Sequence, residues 1–199
     1  SAGHRLEKPP LSIQYADYAV WQQNQQQQEK ALEQLAYWKT QLSGAPALLQ
    51  LPTDYVRPTV QSYQGGMENI ALGSKVLDSL REIGRQESAS LYMVLLASFQ
   101  LLLMRYTGQE DVVVGTNASG RERKETQDLI GLFVQPLALR TRVGADLSFR
   151  ALVRQVRDTV LQATANQMIP FDRIVDEIQP ERTLSYHPLF QVMFSYFEF

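Results

Sequence analysis

The spacing of apolar residues along the chain predicts a series of helices interrupted by a few strands. Between residues 13 and 43, apolar side chains recur every three or four positions, which predicts two amphipathic helices, 13–25 and 26–43. The glutamine-rich stretch QQNQQQQEK lies inside this pattern, so we interpret it as solvated helix and not as low-complexity sequence. Further helices are predicted at 74–85, 90–106, 148–166 and 171–178, and strands at 68–72, 111–116, 133–143 and 191–199.

Several of these elements also carry signals about their ends and their burial. Ser74 is predicted to cap the helix that follows it, and Gly108 to end the helix 90–106. That helix is apolar on nearly all sides, which predicts a central position. The β-branched run 111–116 predicts a strand that is covered on both faces. In helix 148–166 the predicted inner face comprises Phe149, Leu152, Val153, Val156, Val160 and Leu161.

The order of these elements predicts the fold class. Helices and strands alternate along most of the chain, which is typical of an α/β fold with a mixed β-sheet layered with helices. Residues 1–12 are polar and contain Pro9 and Pro10, so we interpret them as a linker that precedes one domain, 13–199. The chain begins with Ser1 and not with Met, from which we expect that it was excised from a longer protein.

Composition and charge exclude several functional classes. Hydrophobic residues make up 44% of the chain and charged residues 20%, as in a soluble globular protein. The net charge is −2 and the 19 basic residues are scattered, so we expect no nucleic-acid partner. The longest apolar run, 91–104, falls short of the about 20 residues that span a bilayer, so we expect no membrane partner. With no cysteine, the chain is compatible with a reducing, cytoplasmic location.

The residue chemistry alone predicts no complete active site. The only histidines are His4, in the linker, and His187, which precedes Pro188; we interpret both as non-catalytic. No metal-binding histidine motif is present, and we expect no metal ion. The stretch GTNASG, residues 115–120, lacks the Lys-Ser/Thr that follows a phosphate-binding loop. The carboxylates Asp17, Asp111 and Asp172 are far apart in sequence and each has a structural explanation.

Four short motifs in a fixed order nevertheless resemble one family, the condensation domains of non-ribosomal peptide synthetases. The motif YADYAVW fits the family pattern at every position, whereas the later ones depart at Gln135, Pro136, Met168, Asp172 and His187. The earlier histidine motif of the family, His-His-x-x-x-Asp-Gly, is absent from these residues. The four motifs are YADYAVW (15–21), IGLFVQPLALR (130–140), NQMIPFD (166–172) and RTLSYHPL (182–189).

The resemblance implies a fold and a function. Members of the family have two chloramphenicol-acetyltransferase-like lobes set in a V, and this chain resembles the C-terminal lobe. The amine of an acceptor aminoacyl thioester attacks a donor acyl or peptidyl thioester, and a peptide bond forms. Both substrates are held on the phosphopantetheine arms of carrier proteins, so no directly bound cofactor is implied. The implied partners are the N-terminal lobe, donor and acceptor carrier proteins and an adjacent adenylation domain.

The resemblance also implies site residues. Phe133, Val134, Gln135 and Asn117 are expected to line the substrate tunnel, and Gln135 has the strongest claim because a polar side chain interrupts an apolar strand there. Pro136 cannot donate to a β-ladder, so we expect an edge strand at this point. The predicted contacts with the missing lobe, including a latch segment, are Pro170, Phe171, Arg182, His187 and Pro188.

Structural roles and other functions compete with this interpretation. Tyr15, Trp21 and Phe171 are interpreted as core anchors, and Arg140 and Arg182 are equally well explained as ion-paired scaffold. The alternative functions are a docking platform for carrier proteins or tailoring enzymes that has lost catalysis, and an epimerisation or cyclisation relative. A lobe that packs against another is expected to expose an apolar strip at 130–137 and 186–194, and therefore to self-associate when it is alone.

Overall fold

Helices surround a small β-sheet in the computed structural model, which describes residues 10–25, 28–180 and 183–197. The mixed α/β class predicted from the element order is therefore confirmed. His4 and most of the predicted linker lie outside the described residues. A 3-10 turn, Lys124–Thr126, lies in the loop between the strands. The elements of the described residues are α1 (Tyr15–Gln25), α2 (Glu29–Leu42), α3 (Ser74–Gln86), α4 (Leu91–Thr107), β1 (Asp111–Ala118), β2 (Gln135–Arg142), α5 (Phe149–Ala165) and α6 (Phe171–Ile178).

The sheet is built on β1, which has a neighbour on each side. Strand β2 pairs with it antiparallel, in a register that places Gly115 opposite Ala138. On its other edge, the Gly115 N–H donates to the Val192 carbonyl and the Phe194 N–H donates to the Gly115 carbonyl, both at 2.8 Å, in a parallel bridge. The sheet is thus mixed. Within the described residues β2 pairs on one side only, which agrees with the edge position expected from Pro136.

Two predicted strands are wrong or shortened. Residues 68–72 form no strand, and Met67 and Ile70 beside and within them are exposed. The predicted strand 191–199 is reduced to the bridge at Met193, and residues 198–199 lie outside the described part of the chain. An alternating or apolar pattern makes a strand only where a neighbouring strand supplies its hydrogen bonds. No such neighbour is present for 68–72 among the described residues.

The core lies between the sheet and helices α2, α4, α5 and α6. Trp38 of α2 is buried at its centre, and its Nε1–H donates to the Asn166 carbonyl at 2.9 Å. The predicted inner face of α5 is right at Leu152, Val153 and Val156. It is wrong at Leu161, which is 54% exposed. Seven residues return a helix nearly to the same side, so Ala163 takes the buried position that follows Val156.

Helix α4 crosses the centre of the fold, as predicted, but it is not buried on all sides. Its inner face, which includes Leu96 and Gln100, is completely buried, whereas Leu102 and Tyr106 are exposed. The predicted end is confirmed, because Gly108 closes the helix in the left-handed conformation. The predicted cap Ser74 is instead the first residue of α3, after Gly73, and its side chain accepts no capping hydrogen bond.

No single helix in residues 10–25, 28–180 and 183–197 has both the length and the apolar character needed to cross a membrane. Helices α3 and α4 would meet these two requirements only if they were taken together, and they are bent by 108° with respect to each other.

Arg140 joins three elements at one edge of the core. Its guanidinium donates to both carboxylate oxygens of Asp111, at 2.9 and 2.7 Å. It also donates to the carbonyls of Gln41, Ser43 and Gly44 at the end of α2. One planar side chain therefore ties β1 to β2 and satisfies carbonyl groups that the end of a helix leaves unpaired. This arrangement is the scaffold role that the sequence offered as one of two interpretations.

We predict that Arg140→Met lowers the free energy of unfolding by about 3 kcal/mol, because Asp111 and the α2 carbonyls lose their common donor. Arg140→Lys should recover only part of the loss, since an ammonium lacks the planar fork. Urea denaturation at pH 7 measures the change. Arg142→Met is the control, because Arg142 lies two positions further along β2 and is exposed. Its substitution should change the free energy of unfolding by less than about 0.5 kcal/mol. Equal losses for Arg140→Met and Arg142→Met would contradict the prediction.

A second ion pair makes stability depend on pH. Glu87, after α3, accepts hydrogen bonds from Arg150 at 2.9 Å and from Arg154 at 2.7 Å, and these bonds hold the pKa of its carboxyl below the ordinary value of 4.5. A lowered folded-state pKa contributes stability above 4.5 that is lost as pH falls toward the folded value. Glu87→Gln should therefore be less stable than the parent at pH 7, and in acid titrations of the melting temperature the difference should shrink below pH 4.5 and vanish once pH falls below the folded-state pKa. Glu33→Gln, on exposed α2 surface, should show no such convergence.

Candidate functional site

A buried aromatic cluster positions the start of β2. The ring of Phe133 is 1% exposed and packs against Tyr15 and Tyr18 of α1, with ring centroids 5.3 and 4.7 Å away. Tyr15 also donates its hydroxyl to the Leu132 carbonyl at 2.9 Å. The motifs 15–21 and 130–140, which are more than a hundred residues apart in sequence, therefore form one contact. Tyr15 anchors this contact, but it is 37% exposed and is therefore not the core residue that the sequence predicted.

Gly131 makes that contact possible. A Cβ added at this position would collide with Cδ2 of the Tyr15 ring, far inside the van der Waals limit. The absence of a side chain thus lets the chain pass directly beneath the tyrosine. Because the ring of Phe133 packs against the same tyrosine, the approach of Gly131 helps to fix where β2 begins.

The loop between the strands is held against the same cluster. The guanidinium of Arg121 lies 4.2 Å from the centroid of the Phe133 ring and donates to the carbonyls of Thr126 and Leu129. Gly120 has a φ of +63°, and a Cβ there would collide with the Phe133 carbonyl. Backbone therefore occupies the space beside Gly120, which supports the rejection of residues 115–120 as a phosphate loop. The sequence analysis did not identify Arg121, since its contacts are with carbonyls that no periodicity reveals.

The larger of two neighbouring cavities, here called the main cavity, has a volume of about 710 Å³. Asn117 and Val134, two of the predicted tunnel residues, line it, and apolar side chains from β2 and α5 surround them. Tyr92 donates to Thr116 Oγ1 at 2.9 Å, and that hydroxyl donates to the Phe194 carbonyl at 3.0 Å. Burial raises the pKa of the Tyr92 phenol, so it remains a neutral hydrogen-bond donor at neutral pH.

The second cavity, here called the side cavity, has a volume of about 330 Å³ and contains Gln135. Tyr18 and Trp21 of α1 form its aromatic side, and the guanidinium of Arg123 lies 4.4 Å from the Trp21 ring centroid. Met168 closes another side. The four predicted tunnel residues are therefore divided: Asn117 and Val134 line the main cavity, Gln135 lines the side cavity, and Phe133 lines neither because its ring is buried in the aromatic cluster.

The predicted latch residues meet in a stack of rings. The ring of His187 packs against Phe171 and Phe190, with centroids 5.8 and 5.0 Å away and ring planes within 28° of parallel, and the two phenylalanine centroids are themselves 5.4 Å apart. Its Nδ1–H donates to the carbonyl of Pro188 at 2.8 Å, and Pro170 precedes the first turn of α6. Arg182 lies outside the described residues. His187 lines neither cavity, which agrees with its interpretation as non-catalytic.

The predicted apolar strip is present in its first part only. Ile130, Leu132 and Val134 are exposed, Ile130 to 96%. In the second part, 186–194, Leu189 and Phe190 are buried and Met193 is the one exposed large apolar side chain. This half of the prediction is wrong because the segment packs on β1 and α6. Across the described ranges, no group of three or more His, Cys, Asp or Glu side chains is placed to hold a metal ion.

We predict that Gly131→Ala lowers the free energy of unfolding by about 1–3 kcal/mol, because the new methyl group meets the Tyr15 ring. In a Tyr15→Ala background the same substitution should be nearly neutral, and a double-mutant cycle from urea denaturation measures the coupling. Gly144→Ala is the control, since a Cβ there would have its nearest neighbour at 3.7 Å. A Gly131→Ala loss that is unchanged by removal of Tyr15 would show that the tyrosine is not the obstacle.

Comparisons with known proteins place this geometry in a family. The chain is 51% identical over 193 residues to a linear gramicidin synthase from Brevibacillus parabrevis, in a match that covers 96% of this chain and 4% of that protein. It therefore spans only a small part of the length of that relative. The X-domain in the solved complex of the X-domain and OxyB from teicoplanin biosynthesis has a TM-score of 0.88 and 31% identity, over 96% of this chain and 43% of that one.

A four-domain nonribosomal peptide synthetase bound to AMP and glycine also matches, with a TM-score of 0.87 and 28% identity over 95% of this chain and 14% of that one. The family model for the condensation domain matches residues 1–198. The four motifs, the architecture and these similarities agree, and the chain belongs to the condensation-domain family.

Proposed function

We propose that residues 13–199 are the C-terminal lobe of a condensation domain and form one side of the cleft in which a peptide bond is made. The supporting observation is the main cavity itself, which lies at the ends of β1 and β2 and is open to solvent. Among the described residues that line it there is no histidine and no pair of carboxylates. Such a surface suits the binding and alignment of substrates better than the handling of a proton.

In the proposed reaction, the amine of an acceptor aminoacyl thioester attacks the carbonyl carbon of a donor acyl or peptidyl thioester. The new C–N bond forms, the C–S bond breaks, and the pantetheine thiol leaves with a proton in exchange for the one that the amine loses. The group that moves the proton belongs to the His-His-x-x-x-Asp-Gly motif of the family, which these 199 residues do not contain. Holding two reactants in line is itself a large catalytic term.

Each residue of this lobe would have a role set by the cavity or surface in which it lies. Asn117 and Val134 would contact the acyl groups in the main cavity, and Gln135 would contact a substrate from the side cavity. Phe133 would act indirectly, by fixing the start of β2. The exposed residues Ile130 and Leu132 would pack against the N-terminal lobe. The stack around His187, with Pro170, Phe171 and Pro188, would present the crossing segment to that lobe, and Arg182 is proposed for the same surface.

The proposed setting follows from the family. Donor and acceptor carrier proteins would present their phosphopantetheine arms as substrates, and an adenylation domain would lie next in the parent protein, in the cytoplasm. No metal ion takes part in this proposal. The lobe alone would be inactive, and it would self-associate through the surface around Ile130 and Leu132, since apolar patches of this kind mark interaction sites.

A docking platform without catalysis is the second candidate. It is favoured by the similarity to an X-domain solved in a complex with OxyB. The two candidates differ in whether the parent protein carries that motif before Ser1. If it does, the first function is supported, and if it does not, this chain would serve to bind a partner.

We predict that the 199-residue chain alone makes no amide from two loaded carrier proteins. In the parent domain, we predict that Gln135→Ala lowers the rate of dipeptide formation about ten- to a hundredfold through loss of alignment. Single-turnover assays, followed by mass spectrometry of the acceptor carrier, measure both. Gln127→Ala is the matched control, since Gln127 is an exposed glutamine in the loop before β2. Turnover by the isolated chain would refute the lobe proposal. An unchanged rate and melting curve for Gln135→Ala would assign Gln135 to the scaffold.

A further inference from the structure

The main cavity and the side cavity are neighbours that share two lining residues, Glu122 and Gln167. The Nε2–H of Gln167 donates to Oε1 of Glu122. The hydrogen bond thus joins the loop after β1 to the connection between α5 and α6, at the boundary of the two spaces. We call it the partition. Neither the residue patterns nor the motifs assign a role to it.

The backbone on both sides of the partition is held in place, whereas the two side chains are not buried. Glu122 follows Arg121, which is fixed on Phe133, and precedes Arg123, which lies over Trp21. Gln167 lies between Asn166, whose carbonyl accepts from Trp38, and Met168, whose N–H donates to Gln34 Oε1 at 3.1 Å. Glu122 is exposed and Gln167 is half-buried. Opening the boundary therefore requires only side-chain rotation about a hydrogen bond that water can replace.

The side cavity offers a further apolar surface beyond the partition. The main cavity is lined by aliphatic side chains such as Leu137 and by aromatic ones such as Phe197. The side cavity adds the rings of Tyr18 and Trp21 and the thioether of Met168, which favour an aromatic guest. A side chain that extends from the main cavity past the partition would gain these contacts.

We propose that the Glu122–Gln167 pair separates the side chain of a substrate held in the main cavity from the side cavity, and that its opening admits an aromatic aminoacyl side chain to the rings there. This inference rests on the proposed function, because it takes aminoacyl thioesters as the ligands. It makes Glu122 and Gln167 specificity-determining residues. It also explains how Gln135, which lies in the side cavity, would reach a substrate held beside Asn117.

A set of four variants isolates the pair. Gln167→Glu places two carboxylates together, so like charges should open the partition, and Gln167→Ala should open it by removal of the side chain. Glu122→Gln leaves two amides that still hydrogen-bond to each other, so the partition should stay closed in this variant. The reciprocal swap, Glu122→Gln with Gln167→Glu, restores a carboxylate and an amide and should close it again. Asp128→Asn, on the same loop and exposed, is the matched control.

The first measurement is binding, which does not require turnover. The chain has two tryptophans; Trp21 lines the side cavity, whereas Trp38 is 1% exposed. Titration with the phenylalanyl thioester of N-acetylcysteamine should quench tryptophan fluorescence with an affinity about tenfold higher in Gln167→Glu and Gln167→Ala than in the parent. The alanyl thioester should bind all variants alike. The swap, Glu122→Gln and Asp128→Asn should behave as the parent.

The second measurement is selectivity in the parent domain, as the ratio of kcat/KM for phenylalanyl and alanyl thioesters on carrier proteins. The ratio should rise about tenfold in the two opened variants and return to the parent value in the swap. If binding shifts as expected but no domain makes amides, the partition stands and the proposed function fails. If amides form but neither binding nor the ratio changes in Gln167→Ala with an unchanged melting curve, the partition is overturned. A swap that folds but fails to restore the parent ratio would also overturn it.

Discussion

The ring of Phe133 is the contact on which the arrangement of the candidate site depends. It packs against Tyr15 and Tyr18 and against the guanidinium of Arg121. Its backbone carbonyl rests against Gly120. Once this residue is fixed, the next two are fixed as well: Val134 faces the main cavity and Gln135 the side cavity. Phe133, which was expected to line the tunnel, thus lines neither cavity and instead sets which cavity each of the next two residues lines.

The helices were predicted well from the sequence because their signal is local. A helix satisfies its own hydrogen bonds, so the spacing of apolar residues in 74–85 or 148–166 is nearly sufficient to define it. A strand depends on a partner elsewhere. The run 111–116 became a strand because β2 and the segment around Met193 lie on either side of it. The pattern at 68–72 has no such neighbour among the described residues, and no property of those five residues reveals that.

The site was predicted less completely for a related reason. The resemblance implies tunnel positions for Gln135 and Asn117, and Gln135 also interrupts an apolar strand, but nothing in the residue pattern indicates that the two line different cavities. Arg121, Glu122 and Gln167 act through contacts between separate loops, some with backbone carbonyls. Such contacts leave no period in the sequence. The motifs, in contrast, did carry spatial information, since Tyr15 and Gly131 belong to two different motifs and meet in the structure.

The chemistry of the lobe follows from what its cavities contain. Tyr92, a phenol that is hydrogen-bonded to Thr116 in the wall of the main cavity, has its pKa raised by burial, so it stays protonated at neutral pH and is a weak acid. The carboxylate that lines this cavity, Glu122, is engaged with Gln167. A surface of this kind supplies hydrogen-bond donors, shape and apolar area, all of which act on ground-state position. In the proposed reaction the base would come from a second surface, and we propose that this surface packs on the exposed strip at Ile130 and Leu132.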